Sequence, residues 1–205
     1  MKYITLATLT LGLLLLFCCN QADNKANAET EEDTAQIQKL IRDVLAWSDS
    51  KNTIDLLPLT FDSKDSSCNG FDLDKLKTNL DQLRSTAYFA EEFVQNYNQI
   101  IQTLDKKTKN NEFGKWYPGE MPPFTFASDV NPWCECQDNM DWNAVEVKST
   151  SLTADKGEFN WSWGSPSNGA DKSAAEFKSP FRVVKEDGKW KISYMHGFDL
   201  QESTK

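Results

Sequence analysis

Histidine occurs once in this chain, cysteine five times, and the 22 basic side chains fall well short of the 31 acidic ones. Each shortage excludes something. A net charge of −9 makes nucleic acid a poor partner, because phosphate backbones are bound by just the Lys and Arg that are in deficit here. A closed zinc site needs four N or S ligands, and three thiols (Cys68, Cys134, Cys136) with the distant His196 are a poor set. No metal or other cofactor is implied. Nucleophilic-serine motifs, phosphate loops and HExxH are also missing, so the common hydrolase and nucleotide-binding signatures do not apply.

What the chain does have begins at its N-terminus. Residues 1–17 open with Lys2 and pass into an apolar stretch over 9–17, too short for a comfortable bilayer span and followed by polar Asn20, Gln21, Asp23 and Asn24. That is the pattern of a signal peptide. The segment LLFCCN resembles a bacterial lipoprotein cleavage box, with Cys19 as the lipidated first residue, Leu16 three positions before it and Cys18 in the small-residue slot. The resemblance implies a signal peptide over 1–18, thiol acylation (palmitate-type) of Cys19, and a membrane as partner through that lipid anchor in the bacterial cell envelope. An ordinary secretory signal cut nearby is the alternative. Residues 19–33 carry Asp23, Glu29, Glu31, Glu32 and Asp33 against Lys25 alone, and read as a disordered acidic tether. A single domain over 34–200 and a tail over 201–205 complete the organisation.

The hydrophobic pattern of the domain changes from helical to alternating. Ile37, Leu40, Ile41, Val44 and Leu45 predict a first helix over about 34–49, with Asp33 as its N-cap. A loop with an apolar plug (Leu56, Leu57, Leu59, Phe61) leads to a second helix capped by Asp72, and Ala90, Phe93, Tyr97, Ile100 and Leu104 mark a third over about 86–107. Residues 110–140 are irregular, rich in proline and aromatics. They read either as binding loops or as lids over the edge of a core. Val145, Val147 and Ser149 alternate opposite Phe159, Trp161 and Trp163 in a first hairpin, and a polar connection over 164–173 leads to a second over 181–196, turned by Asp187-Gly188. With a two-residue loop, Lys185 pairs with Trp190, Val183 with Ile192, Arg182 with Ser193 and Phe181 with Tyr194. Trp190, Ile192, Tyr194 and His196 then share the inward face. Helices first and an antiparallel meander last is an α+β layout. The three cysteines past the leader are expected to pair as Cys68 with Cys134 or with Cys136, since a bridge inside Cys134-Glu135-Cys136 would be geometrically strained.

The helical N-terminal half, the segment PPFTFASDVNPWCECQD, the strand VEVKS and the ending FRVVKEDGKWKIS together resemble the NTF2-like (cystatin-like fold) superfamily, and within it a family of Bacteroidetes-type envelope lipoproteins. The resemblance implies a curved antiparallel sheet that wraps a long helix around a conical pocket. Some members of such folds are isomerases or dehydratases, and many bind or scaffold without chemistry. The residues themselves point to binding. Trp116, Trp133, Trp161, Trp163 and Trp190, with Tyr194 and His196, are the candidate pocket lining for a small apolar ligand, a sugar or a loop of an envelope protein. Two alternatives stand beside this reading. One is an enzyme like ketosteroid isomerase, with His196 as base and Tyr194 as hydrogen-bond donor, which lacks an inward carboxylate. The other is an immunity lipoprotein that neutralises a toxin by plugging it.

Overall fold

The computed structural model describes residues 11–137, 141–163 and 177–205, with side chains from Thr30 onward. Its elements run in the order α1 (Leu11–Ser48), β1 (Leu59–Phe61), β2 (Cys68–Phe71), α2 (Leu73–Ser85), α3 (Glu91–Lys109), β3 (Glu146–Leu152), β4 (Lys156–Ser162), β5 (Ser179–Glu186), β6 (Lys189–Met195) and α4 (Leu200–Ser203). The chain is α+β: β3 to β6 form an open antiparallel meander in sequence order, and β1 and β2 make a separate small sheet. The expected connection over 164–173 lies outside the described residues, as do residues 1–10 of the leader.

The final hairpin turns where expected, with Asp187 and Gly188 both left-handed (φ 52° and 74°), as a type I′ turn requires. Pairing follows the expected register from Glu186↔Lys189 to Val183↔Ile192. Ser193 then enters β6 as an extra residue, and the pairs become Arg182↔Tyr194 and Phe181↔Met195. This bulge corrects the expected pairing of Arg182 with Ser193 and of Phe181 with Tyr194. It turns the Met195 side chain into the core (2% exposed) and moves Tyr194 to the outer face beside Arg182. The exchange puts a thioether rather than a phenol under the helices, so the interior gains apolar contact without a hydroxyl to satisfy.

The first helix ends near the expected place but starts far upstream. The stretch read as a disordered tether is helical backbone, continuous with the rest of α1. Asp33 is therefore no N-cap. It sits inside the helix, and its carboxylate accepts hydrogen bonds from Lys185 Nζ (2.9 Å) and Trp190 Nε1 (2.7 Å) at the turn end of the hairpin. The second helix is capped as predicted, with Asp72 accepting from the Lys75 N–H at 2.9 Å. The third starts later than expected because residues 88–90 are extended along the free edge of β6. Ile192 N–H donates to Tyr88 O (2.8 Å) and Ala90 N–H to Ile192 O (2.9 Å), which covers that edge. At the other edge, Arg42 and Gln38 of α1 donate to the carbonyls of Val145 and Val147.

The core lies between the helices and the inner face of the sheet. Ile41, Val44 and Leu45 of α1 and Phe93, Tyr97 and Ile101 of α3 meet Phe159, Trp161, Phe181, Val183 and Ile192, all at most 1% exposed. The irregular segment 110–137 closes this core from the side: Trp133 packs its ring against Phe198 (4.4 Å), Trp47 (5.4 Å) and Phe89 (5.5 Å). Its buried aromatic side chains, Trp116, Phe124, Phe126 and Trp133, pack over that core as the lid reading expects. Residues 201–205 are not a loose tail, since Ser203 is buried and Lys107 Nζ donates to Thr204 O at 2.7 Å.

Candidate functional site

Two neighbouring features at the open end of the β5–β6 hairpin bring together reactive and charged side chains. The first is built on a close approach. At Gly197, just past β6, a Cβ would lie 2.0 Å from the Pro132 carbonyl oxygen, so only glycine lets the loop over 131–137 seat against the strand end. In that loop Cys134 and Cys136 are disulfide-bonded to each other, with their Cα atoms 5.1 Å apart. The expected bridge from Cys68 to Cys134 or Cys136 is thus overturned. Glu135, taking the left-handed conformation at φ 50°, folds the chain back between the two cysteines and brings their Cα atoms within disulfide range. Cys68 remains a buried free thiol in β2, its pKa raised first by burial.

Folding back also aims the Glu135 carboxylate at the strand ends. One oxygen lies 2.5 Å from His196 Nδ1, and the other accepts a hydrogen bond from Ser179 Oγ, the buried first residue of β5. A carboxylate acceptor places the imidazole proton on Nδ1. The order of the three groups decides what they can do. Because the acid stands between hydroxyl and imidazole, His196 has no serine proton to accept, so this is not the relay of a nucleophilic serine.

The second feature is a polar cleft of about 600 Å³ between α3, the outer side of β5 and β6, and α4, lined by Glu92, Asn96, Arg182, Ser193, Tyr194 and Asp199 among others. The bulge at Ser193 creates it by turning Tyr194 outward, where the Arg182 guanidinium lies 4.3 Å from the ring centroid. Tyr194 donates to Asp199 Oδ2 at 3.3 Å, while Asp199 Oδ1 accepts the Gln201 and Glu202 N–H groups, each at 3.0 Å, as N-cap of α4. Those backbone donors hold the Asp199 carboxyl below its ordinary pKa against an opposing push from burial, and burial with the Asp199 charge raises that of Tyr194. Among the described residues the Arg182 and Glu92 side chains form no hydrogen bond or ion pair. A smaller cavity of about 280 Å³ shares Glu92, Arg182 and Ser193 and runs over the outer face to Ser151 and Lys156.

Of the residues singled out in the sequence, Trp116, Trp133, Trp161 and Trp190 are at most 5% exposed and belong to the core. Trp163 is half-buried among Trp142, Trp161 and Phe177, and the cavities described above are lined by none of these tryptophans. Tyr194 and His196 remain neighbours of the site but not on the inward face: Tyr194 faces the cleft and the His196 side chain is 49% exposed. Cys19 falls on the part of α1 whose side chains are not described. Sequence reasoning missed Arg182, Ser179 and the carboxylate partner Glu135. The available signal was Met195, an apolar residue that strict alternation strands on the outer face. Among the described residues no group of three or more His, Cys, Asp or Glu side chains is placed to hold a metal ion, and no helix is long and apolar enough to cross a membrane. Compared with known proteins, the chain matches no family model, no curated protein and no solved structure.

Proposed function

We propose that this chain is a binding or scaffolding domain of the bacterial envelope, held at the membrane by acylation of Cys19, related to the NTF2-like superfamily, and without chemistry of its own. The observation that carries the binding reading is Arg182: in a chain with an excess of acids, this guanidinium has no carboxylate partner among the described residues and lies over the Tyr194 ring at a polar cleft of about 600 Å³. Positioned over the ring, it offers its donors in the fork that matches a carboxylate. Asp199 is occupied by backbone N–H groups and Tyr194, and the Asn96 amide nitrogen donates to Phe198 O (2.7 Å), which leaves Glu92, Gln99 and the Asn96 side-chain oxygen to meet hydroxyl groups. Among the ligand classes expected, this lining supports a sugar over an apolar molecule, and within sugars one that bears a carboxylate. The commitment of Glu135 to both Ser179 and His196 supports the absence of catalysis.

The test is titration calorimetry of the protein with uronic-acid oligosaccharides and with their neutral counterparts. Acidic oligosaccharides are expected to bind with Arg182→Ala weakening them at least tenfold, a loss of about 1.4 kcal/mol. Equal binding of the neutral series, or no effect of Arg182→Ala, overturns the assignment.

A further inference from the structure

The loop over 131–137 carries a device that the binding reading does not use. We propose that the Cys134–Cys136 disulfide is a thiol-addressable latch: exchange with an external dithiol opens it and releases Glu135 from Ser179 and His196.

The two sulfurs are unequal. Cys134 is 1% exposed and Cys136 is partly exposed, so an incoming thiolate reaches Cys136 first. A dithiol thiolate attacks Cys136 Sγ, the Cys134–Cys136 bond breaks, and Cys134 leaves as thiolate and takes a proton. The second thiol of the reagent then attacks its own sulfur in the mixed disulfide, and Cys136 leaves. Two electrons and two protons pass from the dithiol to the pair, and the reagent ends as a disulfide.

What the bond holds is visible in the backbone. Glu135 is a non-glycine residue at φ 50°, a conformation that L side chains adopt at a cost. The covalent ring across it enforces that conformation, assisted by the Glu135 N–H to Asn131 O bond (2.7 Å). In the left-handed conformation the carboxylate bridges the first residue of β5 and the residue after β6. Opening the ring lets Glu135 return to extended backbone and swings the carboxylate off both partners. Tyr194 and Asp199 lie within three residues of His196 along the chain and line the polar cleft, so the latch touches its rim.

His196 is the single histidine of the chain and so a unique reporter. The test follows its imidazole Hε1 resonance in the full-length protein in detergent, before and after dithiothreitol, with mass spectrometry to score the Cys134–Cys136 peptide. The resonance is expected to move when the peptide gains two hydrogens, to return on reoxidation, and to stay unmoved by dithiothreitol in Glu135→Gln. A resonance that does not move although the peptide is reduced overturns the proposal. So does a disulfide that resists dithiothreitol in the folded protein and yields only when it is unfolded. The double variant Cys134→Ser with Cys136→Ser is expected to sit at the reduced position without reagent; wild-type reduction decides the matter if that variant does not fold.

Discussion

The two ends of the β5–β6 hairpin are each tied by one carboxylate that reaches in from elsewhere in the chain, and the two ties are made differently. At the turn end, Asp33 of α1 accepts from Lys185 and Trp190, and the Lys185 ammonium also lies 4.9 Å from the Trp190 ring centroid. At the open end, Glu135 joins Ser179 and His196. Asp33 is carried by a helix whose apolar face is buried from Ile37 to Leu45, so its position follows from packing. Glu135 is carried by an irregular loop, held by a disulfide, backbone hydrogen bonds to and from Asn131, and a glycine contact. The turn end is accordingly expected to be the thermodynamic anchor, and the open end the adjustable one.

Removing the centre of the turn-end tie gives the largest effect. Trp190 is 5% exposed, and truncation to alanine is expected to cost about 3 to 5 kcal/mol in a denaturant titration. Trp190→Phe keeps most of the ring but deletes the indole donor to Asp33, and about 1 kcal/mol is expected there. If Trp190→Ala costs less than the phenylalanine variant, packing does not anchor this end and the contrast fails.

The open end is probed by Gly197→Ala. The new methyl would meet the Pro132 backbone, which is not the movable tip of a side chain, so the loop must shift. A destabilisation of about 1 to 3 kcal/mol is expected, below that of Trp190→Ala. Unchanged stability would mean that the loop is not seated on the strand end.

The contrast also explains what could be read from the sequence. The α+β layout, the Asp72 cap and the hairpin register up to Ile192 rest on short-range rules, turn chemistry and periodicity, which each act within a few residues. The later start of α3 and the bulge at Ser193 are tertiary: residues 88–90 leave the helix to pair with Ile192, and Met195 turns inward because the helices above offer it a dry contact. The strand β1 is three residues long, below what alternation can signal. The site was least legible of all. The tryptophans that suggested a pocket are the core, and the cleft instead depends on a one-residue slip that moves Tyr194 and Arg182 together. The geometric objection to a bridge within Cys134-Glu135-Cys136 is removed by a left-handed residue at 135.

The smallest effect, and the finest measure of the turn-end tie, is the charge on Asp33. Burial pushes its carboxyl pKa up, but the Trp190 indole N–H and the Lys185 ammonium pull harder, and the net shift is downward. A carboxyl held below its unfolded value stabilises the fold fully at pH above about 4 and loses that contribution as pH falls through the lowered value. Asp33→Asn keeps an oxygen for the indole and gives up the ion pair, so a loss of about 1 kcal/mol at pH 7 is expected. Glu91 and Asp199 are also lowered and add their own acid sensitivity, so the diagnostic quantity is the difference between wild type and Asp33→Asn. That difference should be constant from pH 7 to about 5 and shrink toward zero as pH drops below 4. A difference that holds its size down to pH 2 would show that α1 is held to the hairpin by shape alone, with the carboxylate a bystander.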